Sequence, residues 1–121
     1  YFLMKENIVI EKSYTFAVKI LKAVRKLERS IENYVLVKQL IRSSTSVGAN
    51  LQESQGGLTK KEFIHKLNIS YREAKESKYW ISLIIDSQLK GKPDEDLFRN
   101  LFNDGDELCR IIYSIIKSSK S

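Results

Sequence analysis

The chain contains one proline, Pro93, and one cysteine, Cys109, in 121 residues. An interior proline removes a backbone donor and breaks a helix, so its scarcity leaves long stretches free to be helical and argues against an all-β or loop-rich fold. A single cysteine excludes an internal disulfide and points to a reducing, cytoplasmic setting. No apolar run approaches the roughly 20 residues that span a bilayer, so no membrane partner is expected. The opening YFLMKENIVIEKS lacks the basic, apolar and cleavage regions of a signal peptide. Met4-Lys-Glu-Asn reads as a natural start, with Tyr1–Leu3 as an extension of it. There is one histidine, His65, so no imidazole pair is available for a metal or for acid–base work.

What is present is charge, unevenly placed. The net charge is +6 and the pI about 9.4. Residues 5–29 hold seven Lys/Arg and three Glu, whereas residues 94–107 hold six Asp/Glu and one Arg. A chain of this size buries roughly 65% of its unfolded surface, which is enough for one core. One domain over residues 5–121 is expected.

Apolar periodicity predicts four helices. Helix 1 is expected over Glu6–Arg29, with Ile10, Tyr14, Ala17, Leu21 and Val24 on its inner face, widened by Ile20 and Leu27. Helix 3 opens on the capping box Thr59-Lys-Lys-Glu62. Its seam is Phe63, Leu67, Ser70, Ala74, Ser77, Ile81 and Ile84, small in the middle, so a neighbour can approach closely there. Helix 4 follows Gly91-Lys92-Pro93, with Asp94, Glu95 and Asp96 at the positive end of its dipole. Leu97, Leu101, Leu108, Ile111, Ile112 and Ile115 form its inner face.

The stretch SSTSVGANLQESQGG, residues 43–57, reads as a loop on composition. Yet Val37, Leu40, Ser44, Val47 and Leu51 keep the spacing 3, 4, 3, 4 through it, and a loop has no reason to hold that phase. Residues 35–55 are therefore expected to form helix 2, although Gly48 costs on the order of 1 kcal/mol relative to Ala. Packing must offset that cost, through close backbone approach or a kink at Gly48. Four amphipathic helices with short links make an all-α, antiparallel up-down-up-down four-helix bundle.

Residues 36–85 resemble the family of four-helix bundle proteins first described from intervening sequences of bacterial 23S ribosomal RNA genes. The residues that carry the resemblance are Gln39, Arg42, Ser46, Val47, Asn50, Leu51 and Glu53, then Lys61, Glu62 and Phe63, and the later run EAKESKYW at 73–80. The family's proline stands as Gly48 here, and its glycine after the glutamate as Ser54; both bear on the helix-2 kink rather than on the fold. The resemblance implies a ring-like homopentamer, and its accessory-variability-determinant relatives in diversity-generating retroelements bind nucleic acid. It implies no reaction.

No catalytic constellation emerges from the residues. His65 projects away from the helix-3 seam, Cys109 reads as a small hydrophobe, and Gly56-Gly57 lacks the phosphate-loop pattern. The acidic cluster at 94–107 suits a helix dipole better than a metal. No enzyme activity, cofactor or small-molecule substrate is expected.

Three surfaces stand out. The polar stripe Gln39, Arg42, Ser46, Asn50 and Glu53 reads either as a solvated face or as a hydrogen-bonded seam, and the resemblance favours the seam. Ile69, Tyr79, Trp80 and Leu83 lie off the helix-3 seam and are expected at an oligomer interface. Lys12, Lys19, Lys22, Lys26 and Arg29 lie on the helix-1 side opposite Ala17, Leu21 and Val24, together with Lys5. This basic face is expected to bind RNA or DNA with little sequence specificity. The competing expectation is a scaffolding bundle whose basic face meets an acidic protein.

Overall fold

The computed structural model describes residues 2–87 and 93–120, with side chains from Glu6 onward. Four helices account for nearly all of it: α1 (Phe2–Val24), α2 (Ile31–Glu53), α3 (Lys60–Asp86) and α4 (Glu95–Lys120). Each packs on two neighbours in a closed square, α1 on α2 and α4, α3 on α2 and α4. This is an antiparallel four-helix bundle. Gly91, Lys92 and the Lys5 side chain lie outside the described residues.

The caps explain where the helices begin. The Ser30 hydroxyl accepts from the Asn33 amide at 3.0 Å, and Asn33 Nδ2 donates to the Glu28 carbonyl at 2.5 Å. Before them Lys26 N donates to the Ala23 carbonyl and Leu27 N to the Val24 carbonyl in a turn, so α1 stops at Val24 rather than at Arg29, and α2 starts four residues earlier than the apolar pattern indicates. The capping box forms as expected, with Glu62 N donating to Thr59 Oγ1 and Thr59 N to Glu62 Oε1, both at 3.2 Å. The hydroxyl and amide of Thr59 hold the Glu62 carboxyl below its ordinary range. Gly57 adopts φ +73°, a conformation that favours glycine, within the link between α2 and α3. Asp94 caps α4, its Oδ1 accepting from Leu97 N at 3.1 Å.

The core is built from Val9, Phe16 and Ile20 of α1, Leu40, Val47 and Leu51 of α2, Leu67, Ile81 and Ile84 of α3, and Leu101, Leu108 and Ile112 of α4. The expected helix-3 seam is the observed one, except that Phe63 is half-buried. On α4, Leu97 and Ile111 are half-buried, and Phe98 and Gly105 join the interior. On α1 Ile20 and Val24 are buried as expected, but the rest of the expected face is displaced by one residue. Val9, Ser13, Phe16, Ile20 and Ala23 face inward, and Tyr14, expected inside, is 72% exposed. One residue is a rotation of about 100°.

The serines are the reason for that displacement. Ser13 is fully buried and lies against Gly48, where an added Cβ would stand 3.1 Å from Ser13 Oγ. Its hydroxyl is satisfied by the Ile10 carbonyl at 2.7 Å. On the other flank of α2, Ser70 Oγ donates to the Val47 carbonyl at 2.7 Å, and Ser77 Oγ to Ser43 Oγ at 2.9 Å. Residues 43–53 are thus helical and small because two helices approach them closely. Gly48→Leu is expected to overpack the α1–α2 contact and lower the unfolding free energy by about 1–3 kcal/mol, measured by urea denaturation, with helical circular dichroism retained. An unchanged midpoint would show that the contact is not tight.

Candidate nucleic-acid interface

The displaced register of α1 relocates its lysines. Lys12 and Lys19 directly precede the inward-facing Ser13 and Ile20, so they border the core on the α4 side instead of lying opposite it. There they meet the acidic stretch of α4: Lys12 Nζ–Glu107 Oε1 is 3.0 Å and Lys19 Nζ–Asp104 Oδ2 is 3.3 Å. The pairs flank a groove of about 350 Å³ floored by Phe16 and Leu108. They are exposed, and such pairs contribute at most about 1 kcal/mol each. Lys22 is exposed in the last turn of α1. Lys26 and Arg29, expected on the helix, instead lie in the turn beyond it with Arg25, all exposed. Lys22, Arg25, Lys26 and Arg29 thus form a cluster at one end of the bundle, with no ion pair to any of them among the described residues.

The polar stripe of α2 meets α3. Arg42 Nε donates to Gln39 Oε1 at 3.0 Å, its Nη1 lies 3.0 Å from Glu73 Oε2, and its Nη2 pairs with Glu76. Trp80 Nε1 donates to the same Glu76 carboxylate at 2.9 Å. Asn50 Nδ2 donates to the Ser46 carbonyl and hydroxyl at 2.9 and 3.0 Å, and Glu53 pairs with Lys66 at 3.5 Å. The stripe therefore carries α2–α3 ion pairs at its rim and helix-internal bonds at its edge.

The residues expected at an oligomer interface divide. Tyr79 is exposed and meets Trp80 edge-on at 5.0 Å, whereas Ile69, Trp80 and Leu83 are half-buried. Sequence reasoning missed a second exposed apolar group at the start of α2: Ile31, 84% exposed, with Tyr34 and Val35. Helical periodicity placed the start of helix 2 at Val35, so the exposure of Ile31 and Tyr34 on it was not considered.

A basic face on α3 was also missed. Lys61, His65, Asn68, Arg72 and Lys75 recur at spacings of 4, 3, 4 and 3 on its outer side, a pattern readable in the sequence. All but Asn68 are exposed. Beside them, at the α3–α4 junction, Tyr71 and Tyr113 pack with ring centroids 5.8 Å apart. Lys75 Nζ lies 5.5 Å from the Tyr71 centroid and Lys117 Nζ 5.9 Å from that of Tyr113. Asp106, the nearest acid on α4, is held by Lys78 at 2.8 Å and Arg110 at 2.6 Å. The hydrogen bond from Lys78 keeps its carboxyl below the ordinary range.

Cys109 is buried, and burial pushes its thiol pKa up, away from the reactive thiolate. Among the described residues no three His, Cys, Asp or Glu side chains converge on a possible metal position. No described helix is long and apolar enough to cross a membrane.

Glu6 is 5% exposed at the opposite end of the bundle, beside a pocket of about 500 Å³ lined by Gln55, Lys60, Phe63 and Ser119. Burial raises its carboxyl above the ordinary 4.5, against a hydrogen bond from Gln55 that lowers it. A carboxyl whose folded pKa exceeds its unfolded value contributes most below the unfolded pKa, and that contribution is lost as pH rises through the folded one. Glu6→Gln is therefore expected to raise the melting temperature at pH 7 and to flatten its decline between pH 4.5 and neutrality, as thermal melts across that range would show. A lower melting temperature for the variant at pH 7 would contradict this.

The fold defines a four-helix bundle whose polar residues gather on α2–α3 and α3–α4. The model of the 23S rRNA-intervening sequence protein family matches residues 5–114, and the chain belongs to that family. It is similar to a protein of unknown function from the S23 ribosomal protein family of Bacteroides thetaiotaomicron, solved by crystallography. The two are 36% identical, the match covers 93% of this chain and 98% of that one, and the TM-score is 0.82. Comparison with curated proteins gives no match.

Proposed function

We propose that this protein is a non-enzymatic, self-associating bundle of the cytoplasm that binds nucleic acid with little sequence specificity. The observation that carries the reading is the cluster Lys22, Arg25, Lys26 and Arg29. These are four exposed cations within eight residues at the end of α1, with no ion pair among the described residues. Cations placed so bind phosphates by releasing counterions. Lys12 and Lys19 extend the track along α1 when phosphate displaces Asp104 and Glu107, an exchange that surface ion pairs of this kind resist only weakly.

Self-association is supported by the exposed Tyr79 beside Ile69, Trp80 and Leu83, and by Ile31, Tyr34 and Val35. A ring, with five copies as the expected number, multiplies a modest basic track by avidity. No catalytic role is assigned to His65, which stands alone on an exposed face, or to the buried Cys109.

The reversal Lys22→Glu, Lys26→Glu, Arg29→Glu is expected to abolish duplex binding and to weaken single-strand binding, measured by fluorescence anisotropy at about 50 mM salt. Wild-type affinity should fall with a log–log salt slope of about one per phosphate neutralised. Binding by the triple variant equal to wild type would overturn the assignment, and absence of any wild-type binding would favour a scaffold that meets an acidic protein. Light scattering is expected to return an oligomer at micromolar concentration; a monomer of 14.1 kDa would contradict self-association.

A further inference from the structure

We infer that the α3–α4 face is a second contact surface, one that takes single-stranded nucleic acid by stacking unpaired bases on Tyr113 beside a row of phosphate-binding cations. The inference rests on the nucleic-acid reading above and adds to it the form of the ligand.

Three observations converge on this face. The first is charge: Lys61, Arg72 and Lys75 on α3 have no ion pair among the described residues, and neither has Lys117 on α4. The nearby acid Asp106 is already bound by Lys78 and Arg110. At 1.5 Å per residue, Lys61 to Lys75 covers about 21 Å along α3, long enough to follow a backbone through several phosphates.

The second is an aromatic platform. Tyr71 is half-buried and packs against Tyr113, which is 49% exposed. The inner ring thus fixes the outer one, which keeps surface for a planar ligand. The third is the placement of charge relative to the rings. Lys75 and Lys117 hold ammonium groups 5.5 and 5.9 Å from the two ring centroids. A nucleotide presents a planar base and an anionic phosphate within one residue of its chain, and this face offers a ring and a cation at matching proximity. Lysine stems are flexible, so a base can take the ring face while the ammonium turns to the phosphate.

A duplex does not fit this description, because its base faces are stacked on one another. A single strand does, since base–aromatic stacking tolerates any base and cationic grooves track the backbone. The contacts engage phosphate and ring, not the sugar, so RNA and DNA strands are expected to bind alike.

The test is fluorescence anisotropy of the full-length chain with labelled 20-mer oligo(U), 20-mer oligo(dT) and a 20-base-pair duplex in low salt. Wild type is expected to bind the two single strands equally and more tightly than the duplex. Tyr113→Ala should weaken single-strand binding roughly tenfold, the scale of one lost base stack, and Tyr113→Phe should restore it. Lys75→Glu with Lys117→Glu should weaken single-strand binding at least as much, with circular dichroism unchanged in each variant. Wild-type binding with no preference for single strands, or Tyr113→Ala binding oligo(U) as wild type does, overturns this inference and leaves the general nucleic-acid reading standing. No binding to any of the three probes overturns both.

Discussion

The bundle depends on how closely α2 lies against its two neighbours. Ser13 meets Gly48 on one flank, and Ser70 and Ser77 meet Val47 and Ser43 on the other. These contacts carry little apolar area, yet they set the rotation of α1 and α3 about their axes. Each buried hydroxyl has an acceptor, which matters because an unsatisfied one would cost about 1–3 kcal/mol. Larger side chains here would bury more surface and separate the helices, loosening the layers of Leu40, Leu51, Ile81 and Ile112 around them. The low helix propensity of Ser, Thr and Gly is the local cost of that geometry.

The same rotation decides which cations are available. With Ser13 and Phe16 turned inward, Lys12 and Lys19 come to the α4 border and find Glu107 and Asp104. Asp104, Asp106 and Glu107 of α4 are thereby engaged by α1, Lys78 and Arg110, not gathered as a site of their own. Among the described residues, the cations without an ion pair include the cluster at the α1–α2 turn and Lys61, Arg72 and Lys75 on the outer stripe of α3. These surfaces differ in kind. The turn sets its charge beside the exposed Tyr34, whereas the α3–α4 junction pairs two packed tyrosine rings with a lysine at each.

Much of the fold was legible in the sequence. The Thr59–Glu62 box, the Phe63–Ile84 seam and the unbroken apolar phase through residues 43–53 depend on local signals, and all three are helical features that periodicity detects. The face of α1 was not legible. Ile10–Tyr14–Ala17–Leu21 and Val9–Ser13–Phe16–Ile20 have equal spacing, and hydrophobicity favours the first because the second contains a serine. Only the partner glycine 35 positions later makes that serine suitable. The ion pairs of Lys12 and Lys19 were hidden for the same reason, since their acids lie about 90 residues away. The start of α2 depended on Ser30 acting as a cap, a signal present in the sequence but outweighed by the apolar pattern.

If small residues hold α2 by close contact on both flanks, its weak helix formers should be as stable as the core around them. Native-state amide hydrogen exchange tests this directly. Amides of residues 43–53 are expected to exchange only with global unfolding, at the protection of Leu67–Ile84 on α3. Fast exchange in 43–53, with residues 67–84 still protected, would mean that the segment frays as its composition implies and that the close contacts do not hold the bundle.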